Sequence, residues 1–289
     1  MDHLAIDLGR RRLFVAALEH GTLEVVDLDT RKRLKSVTGF SEPQGVLFFA
    51  DIGKVFVANG GNGMLDVIDP GTLEKVASVK IGDDADNVRC DPATKTVYVG
   101  YGDGALAIVD TTKWKVIGEI PLGAHPESFQ FDAKTKRAFV NLPAKREIAV
   151  VDLALREVVE HWPMKEAEQN FPMAIQGADR RLFVACRQPG KLLVLDPSNG
   201  RTFDALDLSG DADDVFLDEA SGRVYVACGA GFLDVFRRGE KGAYEAEGKI
   251  ATAAGSRTCL YSPGGEKLYV AVPHRGDQRA EIRVYDTRR

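Results

Sequence analysis

A four-residue phrase returns seven times along this chain, and its spacing constrains the fold more than any other feature. It reads Leu13-Phe14-Val15-Ala16, Val55-Phe56-Val57-Ala58, Val97-Tyr98-Val99-Gly100 and Ala138-Phe139-Val140-Asn141. It continues as Leu182-Phe183-Val184-Ala185, Val224-Tyr225-Val226-Ala227 and Leu268-Tyr269-Val270-Ala271. The central valines stand at 15, 57, 99, 140, 184, 226 and 270, in steps of 42, 42, 41, 44, 42 and 44 residues. A constant period of this size marks a repeat architecture in which each module shields the next from water. A second phrase keeps the same beat. It is an apolar alternation that closes on Asp27, Asp69, Asp110, Asp152, Asp196 and Asp286, with Arg237 in the sixth copy.

Each period reads as four short strands. A first strand such as Val46 to Phe49 or Val88 to Cys90 follows a Gly, Pro or Asp turn. The aromatic-valine strand is second and the Asp-terminated strand third. Asn62-Gly63 and Asp103-Gly104 are strong hairpin signals between them. A more polar fourth strand follows, as in Lys75 to Val79 and Lys115 to Glu119. The second strand is apolar at consecutive positions, so both of its faces must be covered. A four-stranded sheet covered on both sides by copies of itself is a propeller blade, and packing blades together hides the sheet edges. The expected fold is therefore an all-β, seven-bladed β-propeller with about 42 residues per four-stranded blade. Only Thr287, Arg288 and Arg289 follow Asp286, so the last blade is expected to have three strands.

The unbroken period over 289 residues predicts a single propeller domain, residues 1–289. No apolar run reaches the roughly 20 residues that span a bilayer, and a soluble chain with no membrane span is expected. No signal peptide is read, because Met1 and Asp2 lead directly into the first strand. The net charge of −5, from 38 basic and 43 acidic residues, disfavours a nucleic-acid partner, which needs a basic face. The clusters Arg10-Arg11-Arg12 and Arg31-Lys32-Arg33 read as solvated turns. Cys90, Cys186, Cys228 and Cys259 contain no CxxC pair, which argues against a zinc framework and for small buried side chains.

The period, the aromatic-Val-Ala-Asn phrase at Val55 to Asn59 and the Asp-closed third strand resemble the bacterial YVTN-repeat seven-bladed propellers. Leu73-Glu74-Lys75-Val76 after Asp69-Pro70, and Gly123-Ala124-His125-Pro126-Glu127, add to the likeness, which extends over the whole chain. Trp114 and Trp162 are isolated and neither precedes an Asp, so the Trp-Asp propellers match less well. The resemblance implies a seven-bladed propeller and favours an exported or periplasmic protein. It implies no particular activity, since such propellers serve as binding platforms, surface proteins and enzymes, and no catalytic motif carries over.

In a propeller the first strand of each blade lines a central channel, and its leading residue faces the mouth. Alignment of the periods puts Asp2, Gln44, Asp86, Glu127, Met173, Asp213 and Thr258 at that position, four of them acidic. Converging carboxylates repel one another unless a cation offsets them. The set therefore reads as an acidic funnel for a metal ion or an amine-bearing ligand, with Arg257 able to neutralise part of the field. Hydrated turn residues are the plainer reading. Asn59, Tyr101, Asn141, Arg187 and His274 follow the second strand and mix donors, acceptors and rings, which suits a small polar ligand or the capping of strand ends. His274 lies on an enlarged hairpin, Pro273 to Ala280, that departs from the repeat.

Two functions are consistent with these residues. The first is a non-enzymatic, monomeric binding or scaffolding propeller whose partner is a small molecule or a protein and which needs no cofactor. The alternative is a divalent-metal-dependent hydrolase or lactonase, with Asp86, Glu127, Asp213 and Asn141 as oxygen ligands around calcium. Asn in place of Asp86 and Asp213 is expected to leave folding intact or even to help it, and unfolding of those variants would make the carboxylates structural.

Overall fold

A computed structural model of the chain describes residues 1–102, 104–177, 180–240, 242–262 and 266–288. Asp103, half of one hairpin signal, lies outside the described residues. Every period forms an antiparallel meander with its strands hydrogen-bonded in chain order, and these are the blades of a seven-bladed β-propeller. They cover residues 4–38, 43–80, 88–121, 129–163, 168–207, 212–251 and 259–286. The first six have four strands and the last has three among the described residues. Blades one to three lie in one compact unit, Met1–Pro126, and blades four to seven in a second, Glu127–Arg289.

The period-2 alternation of a strand explains why the second strands are apolar throughout. In blade two, Val55 and Val57 pack with Phe14, Leu23 and Val25 of blade one. Phe56 and Ala58 point the other way and pack with Val88, Val97 and Val99 of blade three. The second unit repeats the device. Leu182, Val184 and Cys186 join Phe139 and Val150 of blade four, while Phe183 and Ala185 join Val224 and Val226 of blade six. Tyr225 and Ala227 then meet Leu268 and Val270 of blade seven. Each fully buried phenylalanine contributes about 1.5–3 kcal/mol by its removal from water. The outer strands are wet, as in Lys32–Thr38, where only Val37 is buried.

Two local features recur. The Asp that ends the third strand folds the next turn around its carboxylate: Asp69 Oδ1 accepts from the Gly71 and Thr72 amides at 2.8 and 3.1 Å. Asp110 does the same with Thr112 and Lys113, and Asp152 with Ala154 and Leu155. The second feature is a bulge between the third and fourth strands of all six four-stranded blades.

The first strands of blades two, five and six are longer than the sequence indicates. They run Pro43–Phe49, Glu168–Gln176 and Ala212–Asp218, each with an irregular step near its start. Gln44, Met173 and Asp213 therefore sit on irregular strand rather than in open turns. Such a bulge re-aims side chains, and its signature is backbone geometry that no single residue type announces.

The four cysteines are free thiols. Cys186, Cys228 and Cys259 are buried and Cys90 is half-buried, and burial pushes the Cys90 thiol up to about 11 and that of Cys186 up to about 12. Of the two arginine clusters only Arg10, Arg11 and Arg31 lie in turns, Arg11 and Arg31 at φ of 55° and 58°, while Arg12 opens the strand Arg12–Ala17 and Lys32 and Arg33 open Lys32–Thr38. Arg10 pairs with Asp7 and Arg11 with Asp29.

Candidate functional site

In the first unit the leading residues engage their own neighbours. The Asp2 amide donates to Ala16 O at 2.9 Å, and its carboxylate lies 3.9 Å from His3 Nε2. Gln44 Nε2 donates to Asp84 Oδ1 at 3.3 Å. Asp84 Oδ2 lies 3.5 Å from His125 Nδ1, which itself donates to Gly102 O at 2.9 Å. Gln44, Asp84 and His125 thus form a polar chain across blades two and three. Asp86 is 8% exposed and accepts from Asn87 Nδ2 at 3.2 Å. Gly45 is required here, because any side chain would run into the Asp86 carbonyl.

Asn59 is fully buried. Its Oδ1 accepts from the Ser41 amide, and its Nδ2 reaches Val57 O, Met64 O and Asp66 Oδ2 at 3.0–3.2 Å. It ties the start of the blade to the hairpin after the second strand. Tyr101 donates its hydroxyl to Glu119 Oε2 at 2.6 Å, which with burial pushes the phenol up to about 12.

In the second unit the leading Asp213, the second-tier Arg187 and Arg257 meet. Arg187 Nη2 donates to Asp213 Oδ1 at 2.5 Å and Arg257 Nε to Asp213 Oδ2 at 2.9 Å. Arg187 Nε also donates to Ala212 O at 2.9 Å. Asp211 Oδ1 stands 3.5 Å from Arg187 and 3.6 Å from Arg257. The Arg187 guanidinium lies over the Phe171 ring at 3.6 Å from its centroid, a cation–π contact worth about 0.5–2 kcal/mol. Blades five, six and seven each contribute to this cluster. Two guanidiniums and two carboxylates leave it neutral, with Arg257 and Asp211 half exposed at 46% and 43%.

Next to it, Asn141 is fully buried and donates from Nδ2 to Phe171 O at 2.9 Å. Its Oδ1 accepts from Asn170 Nδ2 at 2.9 Å. Glu127 is half-buried and its amide donates to Asn141 O at 3.0 Å. Met173 and Thr258 are buried. His274 is exposed on its hairpin, which is held by paired backbone bonds between Arg275 and Gln278. Among the described residues no group of three or more His, Cys, Asp and Glu side chains is drawn together as a metal-binding set.

Asp211, Asp84, Phe171 and Asn170 are members of these clusters that the repeat alignment does not single out. Asp84 and Asp211 reach them from turns with φ of 53° and 62°. Aspartate tolerates that region better than most residues, and a run such as Asp211-Ala212-Asp213-Asp214 was the one available signal. Phe171 carries none, since its partner lies on the next strand.

The fold and this geometry define a seven-bladed β-propeller with paired polar clusters where the first strands begin. No protein-family model matches the sequence, and no curated protein matches it. Solved structures match it in fold. A chain titled hydrazine synthase from Kuenenia stuttgartiensis aligns with a TM-score of 0.79 at 16% identity, covering 99% of this chain and 95% of that one. A chain of a mitotic checkpoint complex aligns at 0.81 and 15% identity, covering 99% and 87%. A functionally unknown protein from Desulfotomaculum acetoxidans DSM 771 aligns at 0.76 and 14% identity, covering 89% and 88%. Likeness at this level of identity establishes the fold alone, and a fold shared by 1681 solved chains singles out no activity.

Proposed function

We propose that this chain is a non-enzymatic binding propeller of the YVTN-repeat type. It engages a small polar ligand or a protein through the blade ends where the first strands begin. The observation that carries the reading is the engagement of both Asp213 carboxylate oxygens by Arg187 and Arg257. A carboxylate held this way has little capacity left for a hard cation, which needs oxygen ligands with lone pairs to give. The half-exposed Arg257 and Asp211 instead present charge of both signs from a braced base. Surface charges so arranged confer specificity more than raw affinity.

The hydrolase alternative asks more of these residues. Asp213 would have to release two guanidiniums, and Asn141 would have to leave its bonds to Phe171 and Asn170.

A thermal-shift panel of amino acids, dicarboxylates and diamines tests the binding reading. Ligands that raise the melting temperature of the native protein should lose their effect in Arg257→Gln. Stabilisation by any of them that persists unchanged in Arg257→Gln and in Asp211→Asn would overturn the placement of the site.

A further inference from the structure

At the other end of the blades, the second unit holds a cleft of about 360 Å³ between the first hairpins of blades four and five. That size falls within the range of small-molecule sites. Phe131, Ile175 and Pro197 give it an apolar lining, and Lys134, Gln176 and Arg180 supply its polar groups.

Gln176 is where this cleft departs from the repeat. It pairs with Arg181 at the base of the hairpin, just as Asp7 pairs with Arg12, Asp132 with Arg137 and Asp218 with Arg223. Those aspartates cap their own turns. Asp132 accepts from the Lys134 amide and Thr135 Oγ1, and Asp218 from the Ala220 amide and Ser221 Oγ. Gln176 puts a longer amide side chain in that place. It is 5% exposed, and its Oε1 accepts from the Tyr244 hydroxyl at 3.2 Å. That bond fixes the amide and leaves Nε2 without a partner among the described residues. Gln176 lines the cleft, so its amide is placed to donate to a ligand held there.

The cations supply the rest. Arg180 sits at φ 51° and donates from Nη2 to Asp132 Oδ2 at 2.8 Å, with no further side-chain partner among the described residues. Lys134 is exposed at the rim, with no ion pair among the described residues. Asp132 is occupied by Arg180, Thr135 and the Lys134 amide. Glu219, outside the lining, accepts from the Gly177 amide at 3.1 Å.

We infer that this cleft binds a small organic monocarboxylate, with its apolar body against Phe131, Ile175 and Pro197. The carboxylate accepts from Gln176 Nε2 and Arg180, and Lys134 stands at the rim. Carboxylate suits these groups because charge-assisted N–H bonds are the strongest available to a planar acceptor. The site is independent of the Asp213 cluster.

Benzoate and hexanoate, with benzylamine and benzyl alcohol as cationic and neutral counterparts, test it by amide chemical-shift titration of the full chain. Both carboxylates should give saturable shifts at Ala133 and Gly177 with dissociation constants on the order of millimolar. Lys134→Glu should weaken them about tenfold, and Ala133→Trp, which fills the cleft from an exposed position, should abolish them. The inference fails if neither carboxylate saturates, if benzylamine or benzyl alcohol binds as well, or if affinity is unchanged in both variants.

Discussion

Arg187 and Asp213 stand 2.5 Å apart on adjacent blades, and Arg257 from the next blade takes the second carboxylate oxygen at 2.9 Å. One carboxylate therefore couples three consecutive blades. This changes what Asp213→Asn should do. Repulsion among leading carboxylates would make that substitution harmless. Here it removes the charge that two guanidiniums share, at a cost of about 1–3 kcal/mol. Urea unfolding of the variant checks the loss, and unchanged stability would show that the pairs are dispensable.

Asn59→Ala should destabilise strongly although nothing about it is catalytic. The residue is fully buried and serves four backbone or carboxylate partners. Removing it orphans the Ser41 amide and one donor to Asp66, on the order of 3 kcal/mol. Asn59→Asp should be no better, because it replaces the amide donor by a second carboxylate facing Asp66. Chemical denaturation of both variants reads the effect.

Phe56→Ala should cost about 3–5 kcal/mol. Its ring is fully buried in the core between blades two and three and lies 6.2 Å from the Trp114 ring. An exposed control such as Leu155→Ala should change stability by less than about 0.5 kcal/mol. Denaturant midpoints compare the two.

Stability should fall in acid through the turn-capping aspartates. The Thr72 amide, with help from Lys54, holds Asp69 down at about 2, and the Thr112 hydroxyl and amide hold Asp110 at about 2. Both lie below the ordinary 3.8, so the unfolded chain takes up the protons first. Their stabilisation is complete above the unfolded value and lost as pH falls through the folded one. Melting temperatures should hold down to about pH 4.5 and drop steadily towards about pH 2. A flat profile over that interval would show that these caps contribute nothing.

The fold was legible in the sequence because it is written in a period. Seven copies of an apolar strand, each with residues for both neighbours, leave few arrangements besides a propeller. The third-strand aspartates were legible as punctuation, although their role as turn caps appears only with the Thr and Ser hydroxyls beside them. The candidate sites were less so. Alignment placed Asp213 in the leading ring and Arg187 in the second tier, with Arg257 only beside Thr258, while their meeting depends on the irregular start of the first strand of blade six. Asn59 and Asn141 looked like accessible polar residues after a strand. Both are buried: Asn59 ties the Ser41 amide to the hairpin that follows it, and Asn141 bonds Phe171 and Asn170 on the first strand of the next blade. Gln176 drew no attention at all. Its position holds Asp in blades one, three, four and six and Phe49 or Ser262 in blades two and seven, a correspondence visible only once the registers of the hairpins are known.

The central claim is that the Asp213 carboxylate is engaged by Arg187 and Arg257 and that this cluster serves binding rather than metal chemistry. Calcium titration followed by thermal unfolding tests it most directly. The account predicts superimposable melting curves with calcium and with chelator, and a lower melting temperature for Arg187→Ala under both conditions. A calcium-dependent rise of several degrees that chelator reverses, and that Asp213→Asn abolishes, would contradict it.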